Sequence, residues 1–140
     1  MFNSPSESSG RMKDTARNVL ETEEFAVNVV TEVTIEQMDR TSVSVPPEES
    51  EFEFADIERA PCRHITPPRV ADAVVTMECT LYDSIEVYEK LMILGDVHHY
   101  HVSDAVLTNG AIDSRKIDTV GRLGGPHYTV SDPIDFERQF

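Results

Sequence analysis

Apolar and polar residues alternate most cleanly between Val75 and Val87. Val75, Met77, Cys79, Leu81, Ile85 and Val87 share one parity, while Thr76, Glu78, Thr80, Tyr82 and Glu86 take the other. A period of two sends the two sets to opposite faces of a strand, so the pattern predicts one face in the core and one in water. After a turn near Glu89 and Lys90, a second long strand is predicted over Leu91 to Val102, and the pair reads as an antiparallel hairpin. Gly95 inside it predicts a bulge or a close approach of backbone, as a curved barrel sheet needs.

The beginning of the chain has a different period. Met12, Ala16, Val19 and Leu20 fall at helical spacing behind the small-residue loop Ser8, Ser9 and Gly10, with Asp14 placed as the helix cap. Phe25 to Val30 is short and rich in valine and reads as a central strand. Thr34-Ile-Glu-Gln37 fits a capping box and predicts a short helix from about Ile35 to Arg40. Pro46 and Pro47 break the segment from Val43 to Ser50 into a surface loop whose Glu48 and Glu49, with Glu51 beyond, form a solvated face, and Phe52 and Phe54 are expected to pin it to the body. Cys62 to Thr66 is expected as a short edge strand before Pro67 and Pro68. Asn109-Gly110 marks a turn, and Asp113 caps a short helix through Ile117.

At 140 residues the chain is one domain by length, enough to bury roughly two-thirds of its unfolded surface. Its net charge of −14 comes from 26 acidic against 12 basic residues. Only Lys13, Lys90 and Lys116 of the basic residues are lysines. Such a chain is expected to repel nucleic acid and anionic membrane. Acid excess with arginine preferred over lysine is expected of a protein adapted to a salt-rich cytoplasm, where self-repulsion is screened; the plainer alternative is an ordinary acidic protein. No apolar run reaches the length of a membrane span, and the first ten residues lack the basic end and apolar block of a signal peptide, so the expected location is the cytoplasm.

Candidate chemistry gathers at two places. A helix start leaves amide N–H groups unpaired and carries partial positive charge, and Lys13 and Thr15 add a cation and a hydroxyl, which together make a candidate phosphate seat. The plainer alternative is that Asp14 only caps the helix while Lys13 and Arg17 are solvated. The second place is Val120-Gly-Arg-Leu-Gly-Gly-Pro-His-Tyr-Thr-Val130, where three glycines permit close approach and Arg122, His127 and Tyr128 bring charge, a titratable ring and an aromatic face. Its plainer alternative is a tight turn before a final short strand. His98, His99 and His101 alternate in direction along one strand and cannot simply converge on one ion, and no nearby carboxylate is evident, so no metal site is expected. Cys62 and Cys79 have no C-x-x-C spacing and are expected as buried, reduced thiols.

Several segments, taken in order, resemble one family. They are Lys13-Asp14-Thr15 with Asn18, Phe25-Ala-Val-Asn28-Val, Arg40-Thr-Ser42, Glu51-Phe52-Glu53, Pro67-Pro-Arg69, the Gly95-Asp-Val97 strand with His101, and Arg122-Leu-Gly-Gly125 with Tyr128. Together they resemble the flavin reductase-like, FMN-binding split-barrel family, its flavoredoxin-like branch in particular. The resemblance implies a mainly β fold, an antiparallel split barrel with a few short helices, that dimerises and holds FMN without a covalent bond near the subunit interface. Family members begin with strands ahead of the position of Phe2, so it also implies a barrel truncated at its N-terminus and weak flavin binding by this chain. Residues 1–130 then form the partial barrel domain and 131–140 a loosely held acidic tail.

Carried over to this sequence, Lys13, Asp14 and Thr15 belong to the phosphate site. Asn28 and Ser42 lie near the cofactor, and Arg122, Gly125 and Tyr128 lie around the flavin or its reductant. The implied function is an oxidoreductase in which a reduced nicotinamide, NADH or NADPH, passes electrons through FMN to an acceptor. No side chain need act as a nucleophile. Two alternatives stand beside it: an FMN-binding electron carrier without nicotinamide turnover, and a noncatalytic, truncated dimerisation module.

Overall fold

The computed structural model describes residues 2–5, 12–46, 49–88, 90–137 and 139. The expected Ser8–Gly10 loop, Pro47, Glu48 and the Glu89 half of the long turn lie outside them. The centre is the hairpin of β5 (Val75–Val87) and β6 (Lys90–Val102), close to the bounds that alternation predicts. Strand β1 (Phe2–Pro5) pairs with β6, and β2 (Glu24–Asn28) pairs with β5, giving a four-stranded antiparallel sheet in the order β1-β6-β5-β2.

Helix α1 (Asp14–Thr22) covers one face of this sheet. Its Ala16 and Val19 pack into a core with Phe25, Cys79 and Ile93, bordered by Val27, Met77, Leu81 and Leu91. Gly95 lies beside it, opposite Leu81: a methyl group there would run into the Phe25 ring and stand 3.2 Å from Cys79 Cβ, so the expected close approach is met. Asp14, expected as the helix cap, is instead the first helical residue. Lys13 is the N-cap, without a side-chain capping bond, and the Asp14 carboxylate pairs with Arg17 one turn on. An acid in the first turn suits the helix dipole as well as a cap does.

The opposite face was expected in water, and it is covered. Thr76 and Glu78 are both fully buried beneath the segment running from residue 61 to 71. That segment contains no strand at Cys62–Thr66, contrary to expectation. The regular structure there is β4 (Arg69–Val70), which pairs over two residues with β3 (Arg59–Ala60) just ahead of the segment. Side chains on the sheet stand in for a partner strand. Glu24 accepts from Thr66 N–H at 2.8 Å and Glu78 from Arg63 and His64 N–H at 2.6 and 2.7 Å, while the Asn28 side-chain oxygen accepts from Val70 N–H at 3.1 Å. Backbone amides outside a strand ladder need other acceptors, and these three residues supply them.

Alternation also fails farther along β5. Leu81 faces Gly95 but Asp83 faces Leu94, so Tyr82 is an extra residue and the parity flips after it. Ile85 and Val87, expected in the core, are consequently exposed.

The remaining elements are short. Helix α2 (Ile35–Arg40) has its expected bounds, yet the Thr34 hydroxyl accepts from Thr31 N–H at 3.0 Å, so the reciprocal cap sits one turn earlier, over the 3-10 turn Glu32–Thr34. Helix α3 (Glu51–Phe54), capped by Ser50, was not expected. Phe52 packs under Arg59, whereas Phe54 is exposed rather than pinned. Strands β7 (Leu107–Thr108) and β8 (Ala111–Ile112) flank the Asn109-Gly110 turn, with both turn residues at positive φ, and Asp113 caps the next 3-10 turn as expected. Strands β9 (Val120–Gly124) and β10 (His127–Val130) form the glycine hairpin, which the Thr31–Thr119 bridge ties to the head of the 3-10 turn that precedes α2. The result is an antiparallel, mainly β fold with few short helices.

Candidate functional site

The N-terminus of α1 opens onto a cleft of about 330 Å³ whose walls include Lys13, Asp14, Thr15, Thr41, Ser42 and Glu51. Four residues expected at a cofactor therefore meet in one place, though they come from two distant segments. The first intrahelical bond runs from Arg17 N–H to the Lys13 carbonyl, which leaves the Asp14 and Thr15 amides at the open end of the helix. Arg17 meets the Asp14 charge, so the acid nearest the amides is already partnered. Ser42 lines the cleft with its donors already used: its N–H and hydroxyl both donate to the Asp39 carbonyl, at 3.0 and 2.6 Å, and leave only a lone pair facing outward.

Arg122, Gly125 and Tyr128 line a separate cleft of about 640 Å³ with Ile35, Asp39 and Arg40 of α2. Arg40 belongs to this cleft and the next residue, Thr41, to the first, so the end of α2 divides the two. Positive φ at Gly124 and Gly125 allows the hairpin to turn here. Asn28 stands in neither cleft. Its side-chain oxygen takes the Val70 N–H and, at 2.9 Å, the Thr76 hydroxyl, and the residue lines a smaller apolar cavity that also reaches Thr41.

A third constellation escaped the sequence reading. Glu78 bonds to His101, which corrects the expectation that no carboxylate stands beside these histidines. Glu78 would be raised by its burial, but the Arg63 N–H, His101 and the His64 N–H together hold it well below the ordinary range, at about 2. Cys62, expected to be buried, is half-buried beside it, and its thiol is pushed up by burial and then by the Glu78 charge. Cys79 is buried, and burial raises its thiol as well. His99 stacks edge-on against His101, at 4.8 Å between ring centroids, and His64 against His99 at 5.1 Å. His98 bonds instead to the Thr80 hydroxyl at 2.6 Å. The sequence carries no signal for this cluster, because Glu78 reads there as a wet-face residue of an alternating strand.

Comparison with known proteins follows the same outline. Residues 6–120 match the family model described as flavin reductase like domain. An uncharacterized protein of Aquifex aeolicus is 39% identical over 118 residues, covering 84% of this chain and 60% of that protein, so the chain spans about 60% of this curated relative's length. Among solved structures, nitrilotriacetate monooxygenase component B from Bacillus cereus is 28% identical, with a TM-score of 0.87 over 98% of this chain and 70% of that one. Flavoredoxin from Methanosarcina acetivorans shares the fold, with a TM-score of 0.78 over 99% of this chain and 71% of that one, at 16% identity. Among the described residues no helix is long and apolar enough to cross a membrane.

Proposed function

The chain belongs to the flavin reductase-like family, and from that premise we propose that it binds FMN and carries electrons from a reduced nicotinamide through the flavin to an acceptor. The observation that carries this reading is the cleft at the start of α1, where Lys13, the Asp14 and Thr15 amides and the Thr15 hydroxyl can all meet a phosphate. A bound flavin supplies the hydride and electron chemistry, and the protein supplies grip and orientation. In this reading Lys13 and Thr15 hold the phosphate, and Asp14, paired with Arg17, organises the loop. Tyr128 offers an aromatic face to the ring system, Arg122 a guanidinium to its polar edge, and Gly125 the room for close approach. Ser42 and Asn28 shape the walls rather than donate.

The net charge of −14 opposes an anionic ligand at long range. Salt shortens that range to about 8 Å under physiological conditions and about 3 Å at 1 M, while direct hydrogen bonds persist.

The reading includes a homodimer in the cytoplasm. Val97 and Tyr100 lie on the sheet face that Cys79 and Met77 share with the core, yet both are exposed, which leaves apolar surface for a second copy to cover. The two clefts contribute to one cofactor either around the end of α2 or across such an interface.

Titrating purified protein with FMN while following flavin fluorescence tests the reading, with NADH and NADPH oxidation measured in the same samples. Saturable binding with nicotinamide turnover is expected. Binding without turnover would make the chain an electron carrier. No binding, in a soluble dimer, would favour the noncatalytic module.

A further inference from the structure

We propose that Cys62, Glu78 and His101 bind one divalent transition-metal ion of the zinc class, at a site separate from both clefts described above. The Cys62 thiol, a Glu78 oxygen and a His101 ring nitrogen all lie within 4.8 Å of one another. They come from three parts of the chain: the segment beneath the sheet, β5 and β6. Only the folded chain brings them together.

The surroundings are those of a supported site. Glu78 is fully buried, and its carboxylate is fixed by the Arg63 and His64 amides, so its direction does not depend on the ion. His101 is aimed at the same carboxylate through Nε2 and backed by the His99 ring. Cys62 and His101 are half-buried, which leaves solvent a way to a fourth position. A structural role for Glu78 alone explains the two amide bonds. It does not explain why a thiol and an imidazole nitrogen converge on the same carboxylate.

Ligand chemistry selects the metal class. Thiolate is soft, imidazole intermediate and carboxylate hard, a mixture that suits Zn(II) or Co(II) and disfavours Mg(II) and Ca(II). The ion replaces the proton shared between His101 Nε2 and Glu78, and that proton resides on Nδ1 of the neutral ring. The thiol proton leaves to solvent, so one proton is released per ion bound. Two anionic ligands then balance the ion's charge.

The test uses reduced, chelator-treated full chain titrated with Co(II), whose bond to a thiolate gives a near-ultraviolet charge-transfer band. One ion per chain is expected, displaced by Zn(II), with the band lost in Cys62→Ser and retained in Cys79→Ala. Zn(II) should raise the melting temperature of the parent chain and not that of Cys62→Ser. Should Cys62→Ser fail to fold, His101→Asn provides the second variant, with affinity expected to fall at least tenfold. A missing band in the parent, or one of equal strength in Cys62→Ser or equal affinity in His101→Asn, overturns the proposal. FMN affinity should be the same in Cys62→Ser as in the parent, because none of these residues lines either cleft, so failure here leaves the flavin reading to its own test.

Discussion

Glu78 on β5 and His101 on β6 are joined carboxylate to imidazole beneath the segment that carries Cys62, and the same carboxylate receives two backbone amides. Removing it leaves three donors facing a void. Glu78→Ala is therefore expected to cost about 3–5 kcal/mol, the range for an uncompensated buried pair, measured as the shift in urea midpoint at constant slope. Glu78→Gln should also destabilise, because its amide would face a backbone donor.

Acid should act through the same group. Folding lowers the Glu78 carboxyl from 4.5 to about 2, so its contribution is complete above pH 4.5 and is lost as pH falls towards 2. Thermal melts of metal-free protein across that window should show the parent losing stability and Glu78→Leu losing less. Parallel curves would dismiss this account.

At the α1 cleft, Lys13→Ala with Thr15→Val should weaken FMN binding by tenfold or more, since a charge-assisted contact and a hydroxyl donor are both removed. Ser42→Ala should change affinity less than threefold, because both Ser42 donors already point at Asp39. Fluorescence titration of the parent and the two variants gives the comparison, and equal loss in both variants would displace the phosphate from this helix end.

Gly95→Ala should cost about 1–3 kcal/mol through overpacking against Phe25, and Phe25→Leu in the same chain should recover part of it. A double-mutant cycle measures the recovery. Independent, additive losses would mean the two residues do not compete for space.

Raising potassium chloride from low to molar concentration should raise the melting temperature and tighten FMN binding, as screening relieves the self-repulsion of −14 charges. Indifference to salt in both measurements would remove the halophilic reading.

Much of the fold was legible because it follows local rules. The hairpin of β5 and β6 announces itself by alternation, α2 by a capping signal that the structure realises one turn earlier, the Asn109-Gly110 turn by residue type and Gly95 by its place in a strand. The errors arise where distant chain decides. Glu78 and Thr76 look wet because nothing nearby says that residues 61–71 will lie over them, and Ile85 looks buried because nothing marks Tyr82 as the extra residue in the ladder. Asp14 has the right type for a cap, but Arg17 takes its carboxylate. Of the candidate site, Lys13, Asp14, Thr15 and Ser42 do share a cleft, whereas Arg122, Gly125 and Tyr128 line another and Asn28 supports the sheet. The cluster of Cys62, Glu78 and His101 was invisible because its three members are brought together only by the long crossing beneath the sheet.

That crossing has an unusual consequence for local opening. Its amides at Arg63, His64, Thr66 and Val70 are held by side chains rooted in β2 and β5, and of the four only Val70 lies in a strand pair of its own. Loss of Glu24 or Asn28 frees one clip and leaves the others fastened, whereas loss of Glu78 frees two at once, so the Arg63 and His64 amides are expected to gain and lose their hydrogen-exchange protection together.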